Sequence, residues 1–100
     1  MSFGLTPIEI EILNKFVIGP LKSNGCKVWI FGSRARGDFK KFSDIDVLYS
    51  PPNHDLPPGL LSNISEAIEE SRLPYKVDLA NESQLAASYI QGIFKDRIEV

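Results

Sequence analysis

The sequence predicts an α/β domain with helices packed on a small sheet. Three observations carry this. Short runs rich in β-branched and aromatic residues, KVWIF (Lys27–Phe31), IDVLY (Ile45–Tyr49) and KVDLA (Lys76–Ala80), have strand character. Around them lie longer segments whose apolar residues recur at helical spacing. At 100 residues and 43% apolar composition, the chain has the size and content of one domain, able to bury roughly two-thirds of its unfolded surface.

The elements follow in order. Thr6, Pro7 and Glu9 form a helix start: a capping side chain, a proline at the first helical position and a glutamate three residues after the cap. Ile8, Ile12, Leu13, Phe16 and Val17 then define a buried stripe. Gly19 and Pro20 end or kink this helix near Ile18, and Pro20 restarts a short turn through Lys22 before Asn24-Gly25. The first strand, Lys27–Phe31, is stopped by Gly32, and the second covers Ile45–Tyr49. SPPNHDLPPG holds four of the seven prolines and reads as a stiff loop without regular structure. Leu60–Ser71 is a helix carrying Leu61, Ile64, Ala67 and Ile68 on one face. Lys76–Ala80 is the third strand, and Ser83 caps a final helix bearing Leu85, Ala86, Tyr89, Ile90, Ile93 and Phe94. There is no internal repeat or linker, so residues 1–100 read as one domain.

Composition removes several functions. A net charge of −2 argues against a general nucleic-acid binder. Yet Arg34, Arg36, Lys40 and Lys41 fall within eight positions, a local patch suited to one polyphosphate. Cys26 is the sole cysteine, which excludes an internal disulfide and a cysteine zinc site, and fits a small core residue. The N-terminus lacks a signal-peptide pattern and no apolar run reaches membrane-span length, so the expected compartment is the cytoplasm.

The second strand poses a problem of its own. Asp44 and Asp46 alternate with Ile45 and Val47, so on a strand both carboxylates project to one face. Two carboxylates about 7 Å apart repel one another and lose hydration unless a cation lies between them, and oxygen ligands favour Mg²⁺ or Mn²⁺. Asp78 interrupts the third strand in the same way. If that strand lies beside the second, three carboxylates converge, the usual clamp for in-line attack at phosphorus. Gly32-Ser33, where a strand gives way to a turn, has the outline of a phosphate site. Gly32 and Gly37 have Walker spacing, but Asp38-Phe39 stands where Lys-Ser/Thr is required. Taken singly, each piece has a plain explanation: solvated aspartates at a strand start, a glycine-serine turn, an exposed basic loop. A structural domain gains nothing evident from having them all.

Together, GSRARGDFKKFSDIDV, with Gly-Ser, ten residues and then Asp-x-Asp, resembles the signature of the minimal nucleotidyltransferases of the DNA polymerase β superfamily. The resemblance implies a polymerase-β-like fold with a small mixed sheet flanked by helices. It implies that Gly32 and Ser33 hold the triphosphate, that Asp44 and Asp46 bind two divalent ions, and that Asp78 ligates one ion and helps deprotonate the attacking hydroxyl. Arg34 and Arg36 match the family's basic positions less strictly, as residues that steady phosphates or a partner. Larger members append domains for the acceptor, and this sequence is more similar to stand-alone members paired with HEPN-domain proteins. In that group the nucleotidyltransferase is an antitoxin moving AMP from ATP to a tyrosine of a HEPN ribonuclease toxin. The implied cofactor is Mg²⁺ or Mn²⁺, with ATP as substrate and a HEPN toxin as partner.

Two rival readings stand beside this one: an antitoxin that neutralises by complex formation alone, and an enzyme acting on a small hydroxylated acceptor. His54, in the proline-rich loop, reads as exposed and idle. Tyr89, Ile90 and Phe94 read as core contacts in preference to a partner surface.

Overall fold

The computed structural model describes residues 2–100. Helix α1 (Pro7–Leu13) opens with the expected capping box: the Glu9 N–H donates to Thr6 Oγ1 at 3.2 Å and the Thr6 N–H to Glu9 Oε1 at 2.9 Å. It runs into a π-helical stretch, Asn14–Ile18, and then α2 (Gly19–Ser23). The wide turn forms where Pro20 supplies no N–H to an ordinary helical ladder. The Gly19 N–H reaches back to the Asn14 carbonyl, and a Cβ on Gly19 would stand 2.8 Å from that oxygen. The π turn therefore needs a glycine there.

Strand β1 (Lys27–Phe31) pairs antiparallel with β2 (Ile45–Ser50), and β2 pairs parallel with β3 (Val77–Asn81). A two-residue strand, β4 (Ile98–Glu99), pairs antiparallel with β1 and completes a mixed sheet of order β3-β2-β1-β4. Between β1 and β2 lies the single turn α3 (Ser33–Arg36). The crossover from β2 to its parallel neighbour is made by the proline-rich loop and α4 (Leu60–Glu70).

Strand alternation gives the sheet two faces. On one, Val28, Ile30, Ile45, Val47 and Tyr49 pack with Leu13, Val17 and Leu21 from the N-terminal helices and Ile64 and Ile68 from α4. Burial pushes the Tyr49 hydroxyl above its usual pKa, against a hydrogen bond from Asn81, and raises the Cys26 thiol in the same core. On the other face lie Trp29, Phe31, Asp46, Leu48 and Asp78, and α5 (Ala87–Asp96) approaches this face beside Phe31.

Three expectations are corrected. Ile8 is 67% exposed, because α1 is short and its first turn overhangs the core. Ser83 does not cap the last helix: Asn81 Oδ1 accepts from both its N–H and its hydroxyl within a 3₁₀ turn, Glu82–Gln84. Leu85 and Ala86 consequently precede α5, which starts at Ala87 with no side-chain cap and buries none of its residues. Tyr89, Ile90 and Phe94 therefore stand outside the core expected to hold them. Among the described residues, no helix is long and apolar enough to cross a membrane.

Candidate active site

The site is built where β1 ends and β2 and β3 begin, at one end of the sheet. In the parallel register of β2 and β3, Asp46 lies directly opposite Asp78, so their side chains leave the same face from neighbouring strands. Asp44 comes two residues before Asp46, just outside the strand, on an exposed approach. The Ile45 N–H bonds to the Lys76 carbonyl at 2.9 Å, which locks the starts of the two strands together.

Gly32 supplies the third side. It adopts φ 76° and ψ −155°, a conformation L side chains rarely take, and a Cβ there would collide with Asp46 Oδ2. The glycine thus lets the β1–α3 turn close onto a carboxylate. Its carbonyl accepts from Ala35 and Arg36, which winds Ser33–Arg36 into a helical turn whose first residue is Ser33.

The electrostatics of this corner are unfavourable. Burial pushes the Asp46 carboxyl above the ordinary aspartate range, the charges of Asp78 and Asp44 push it further, and Arg36 pulls it back in part. Asp78 has a weak neutralising contact, Lys76 Nζ at 3.8 Å, between two largely solvated groups. Among the described residues, no three His, Cys, Asp or Glu side chains already form an ion cage. A hard cation still fits the donor set: every donor is a carboxylate oxygen, their mutual repulsion is only partly offset by Arg36 and Lys76, and Mg²⁺ typically takes one or two protein carboxylates and completes its shell with water and substrate phosphate.

The two arginines of the turn have parted. Arg36 is exposed, with its guanidinium 3.3 Å from Asp38 and 3.6 Å from Asp96, beside Gly32 on the rim of a cavity under α5. Arg34 is 2% exposed. Its Nε and Nη2 donate to the Ser43 carbonyl at 3.0 and 2.8 Å, and its Nη1 donates to the Phe3 carbonyl at 2.9 Å. The rings of Tyr75 and Phe39 lie 4.3 and 5.2 Å from the guanidinium carbon. This corrects the expectation of a phosphate-facing Arg34. Three of its five N–H donors are spent on main chain, and it braces the residue before Asp44 and the segment leading to Asp78. Only its burial, set by Phe3, Phe39, Ser43 and Tyr75 together, reveals that role. His54 is exposed and lies near Gly25, at the opposite end of β1 from the Gly32 turn.

Known proteins are similar to this chain in sequence and in fold. A family model described as a nucleotidyltransferase domain matches residues 10–100. A Haemophilus influenzae protein named as a probable protein adenylyltransferase, MntA, is 43% identical over 54 residues. That alignment covers 52% of this chain and 45% of the relative, so the chain matches less than half the length of that protein. The structure of a minimal nucleotidyltransferase superposes with a TM-score of 0.71 at 22% identity, covering 97% of this chain and 98% of the other. A toxin–antitoxin crystal structure with AMP-PNP superposes with a TM-score of 0.65 at 20% identity, covering 86% and 70% of the two chains. At those identities the structural matches establish the fold.

Proposed function

The chain belongs to the nucleotidyltransferase domain family, and from that premise we propose that it transfers AMP from ATP to a hydroxyl of a protein partner, in the manner of an antitoxin acting on a HEPN ribonuclease toxin. The observation that carries the proposal is the pairing of Asp46 with Asp78 across β2 and β3, with Gly32 closed against the Asp46 carboxylate. Such a costly arrangement is explained by a divalent cation that the carboxylates share with a polyphosphate. The adenylyltransferase name of the H. influenzae relative and the toxin–antitoxin context of a structural neighbour support AMP transfer and a toxin partner.

In this reading Asp44, Asp46 and Asp78 hold Mg²⁺ or Mn²⁺. When bound, the ions neutralise the triphosphate and the charge that develops in displacement at phosphorus. The chain's own residues do the rest. The Gly32 turn lets the phosphates approach the main chain, with Ser33 offering its hydroxyl and N–H. Arg36 adds positive charge at the rim. Asp78, on the edge strand and half-exposed, meets the incoming acceptor and takes the hydroxyl proton. The acceptor oxygen forms a bond to the α-phosphorus while the bond from that phosphorus to the bridging oxygen breaks, and pyrophosphate leaves.

Incubating the chain with its toxin partner and Mg-ATP should raise the partner's mass by whole AMP units. The Asp44→Ala/Asp46→Ala double variant should abolish both the mass increase and rescue from toxicity. Rescue by the double variant, with no mass change under any condition, would instead assign neutralisation to complex formation.

A further inference from the structure

The cavity beneath α5 belongs to no catalytic step described so far. It measures about 330 Å³, within the range of small-ligand sites, and lies between Phe31, Gly32 and Arg36 on the sheet side and Tyr89, Gly92 and Asp96 on the helix side. Two other cavities, each about 470 Å³, lie between α4 and β3 and beside Pro51 and Pro52, and neither borders Gly32. A ligand whose phosphates occupy the Gly32 turn has this cavity as its neighbouring space.

We infer that this cavity receives the nucleoside end of the substrate, with the Tyr89 ring as a stacking face for a purine base. The inference rests on the nucleotidyl-transfer reading above and adds a base subsite to it. Tyr89, Gly92 and Asp96 are spaced i, i+3 and i+7, so α5 presents them on one face. Tyr89 is 64% exposed, a large aromatic surface held out of the core at the mouth of the cavity.

Gly92 is the second observation. Glycine in the middle of a helix destabilises it relative to alanine. Nothing in the protein requires it here: its φ is not positive, and a Cβ would meet no atom within 4 Å. The space beside it is the cavity itself, and a bare backbone there leaves room for a ligand to come close. The Arg36–Asp96 contact at 3.6 Å joins α3 to α5 within the cavity's lining. With stacking as the main contact, recognition follows ring area more than edge hydrogen bonds. Purines should therefore be preferred over pyrimidines, with little distinction between adenine and guanine.

Calorimetric titration with Mg²⁺ complexes of ATP, GTP, CTP and inorganic triphosphate separates the two ends of the substrate. Wild type should bind ATP and GTP more tightly than CTP, and all three more tightly than inorganic triphosphate. Tyr89→Ala should lower ATP affinity by roughly 5- to 100-fold, the loss of one base–aromatic stack, and leave the affinity for inorganic triphosphate unchanged. Tyr89→Phe should keep ATP affinity, since the ring and not the hydroxyl is used. Gly92→Leu, which fills open space, should keep the fold and triphosphate binding while weakening ATP. Unchanged ATP affinity in both Tyr89→Ala and Gly92→Leu would overturn the subsite while leaving the nucleotidyl-transfer reading intact. Failure of wild type to bind either ATP or inorganic triphosphate would overturn both.

Discussion

The two faces of the sheet differ in what they bury and what they leave unsettled. Along β2, Ile45 and Val47 are fully buried among the N-terminal helices and α4, while Asp46 between them is half-buried among other carboxylates. Of the helices over the first face of the sheet, α4 buries Ile64 and Ile68 and the N-terminal helices bury Leu13, Val17 and Leu21, whereas α5, on the second, buries no residue. Hydrophobic stabilisation is thus concentrated on one face. The other can carry like charges, a glycine in mid-helix and an open cavity without unfolding the protein.

The comparison breaks most visibly in the core face. Ile30, 0% exposed and paired with Val47 and Ile98, lies on the face of the sheet opposite the Asp46 side chain. Ile30→Ala should lower unfolding free energy by about 3 kcal/mol, from lost burial and the cavity left behind. Nucleotide affinity per folded molecule should hardly change. Chemical denaturation alongside nucleotide titration checks both, and a loss below about 0.5 kcal/mol would remove this face as the store of stability.

Arg34 sharpens the boundary between the faces, because it is core-like in burial yet braces the site. Lysine cannot reproduce its fork of contacts to the Ser43 and Phe3 carbonyls. Arg34→Lys should cost about 2 kcal/mol, the scale of lost hydrogen bonds to a charged group. It should also slow transfer, with Asp44 less firmly placed, and change the KM for ATP little. An arginine that instead held phosphate would give the opposite pattern: a raised KM and an unaltered melting temperature.

Those two arginines also mark how far sequence reasoning reaches. The three longer strands, α4 and the proline loop were legible, because each is dictated by residues within a few positions, whereas Gly19-Pro20, expected to end or kink the first helix near Ile18, is passed by a π-helical stretch that keeps the chain helical into α2. The alternation of aspartates with Ile45, Val47, Val77 and Leu79 identified which side chains share a face. The parallel register that sets Asp46 against Asp78 needed the fold. Arg34 and Arg36 carry the same side chain in the same turn, and only distant segments decide that one is buried and the other faces the cavity. The start of α5 was not legible, because the Ser83 hydroxyl bonds within the 3₁₀ turn. Strand β4 is two residues long, too short to show alternation.

The smallest stability effect is the most direct measure of what the second face sacrifices. Asp46 has its pKa raised by burial and by the charges of Asp78 and Asp44, so between the ordinary aspartate range and its own raised value the folded state binds more protons than the unfolded state. Stability should therefore fall as pH rises through that window and stay lowered above it. Asp46→Asn, which cannot ionise, should lack this fall. It should melt at a higher temperature than wild type at neutral pH, and the two curves should converge once acid has protonated the carboxylate in both states. Mg²⁺ should raise the wild-type melting temperature at neutral pH more than that of the variant, since the ion relieves the same repulsion. Transfer by the variant should nevertheless fall by about 10²-fold or more, beyond the loss typical of a residue that merely supports a metal ligand. A variant no more stable than wild type at neutral pH, or a difference that ignores pH, would mean that the carboxylates do not strain the apo fold, and the contrast between the faces would then be one of packing alone.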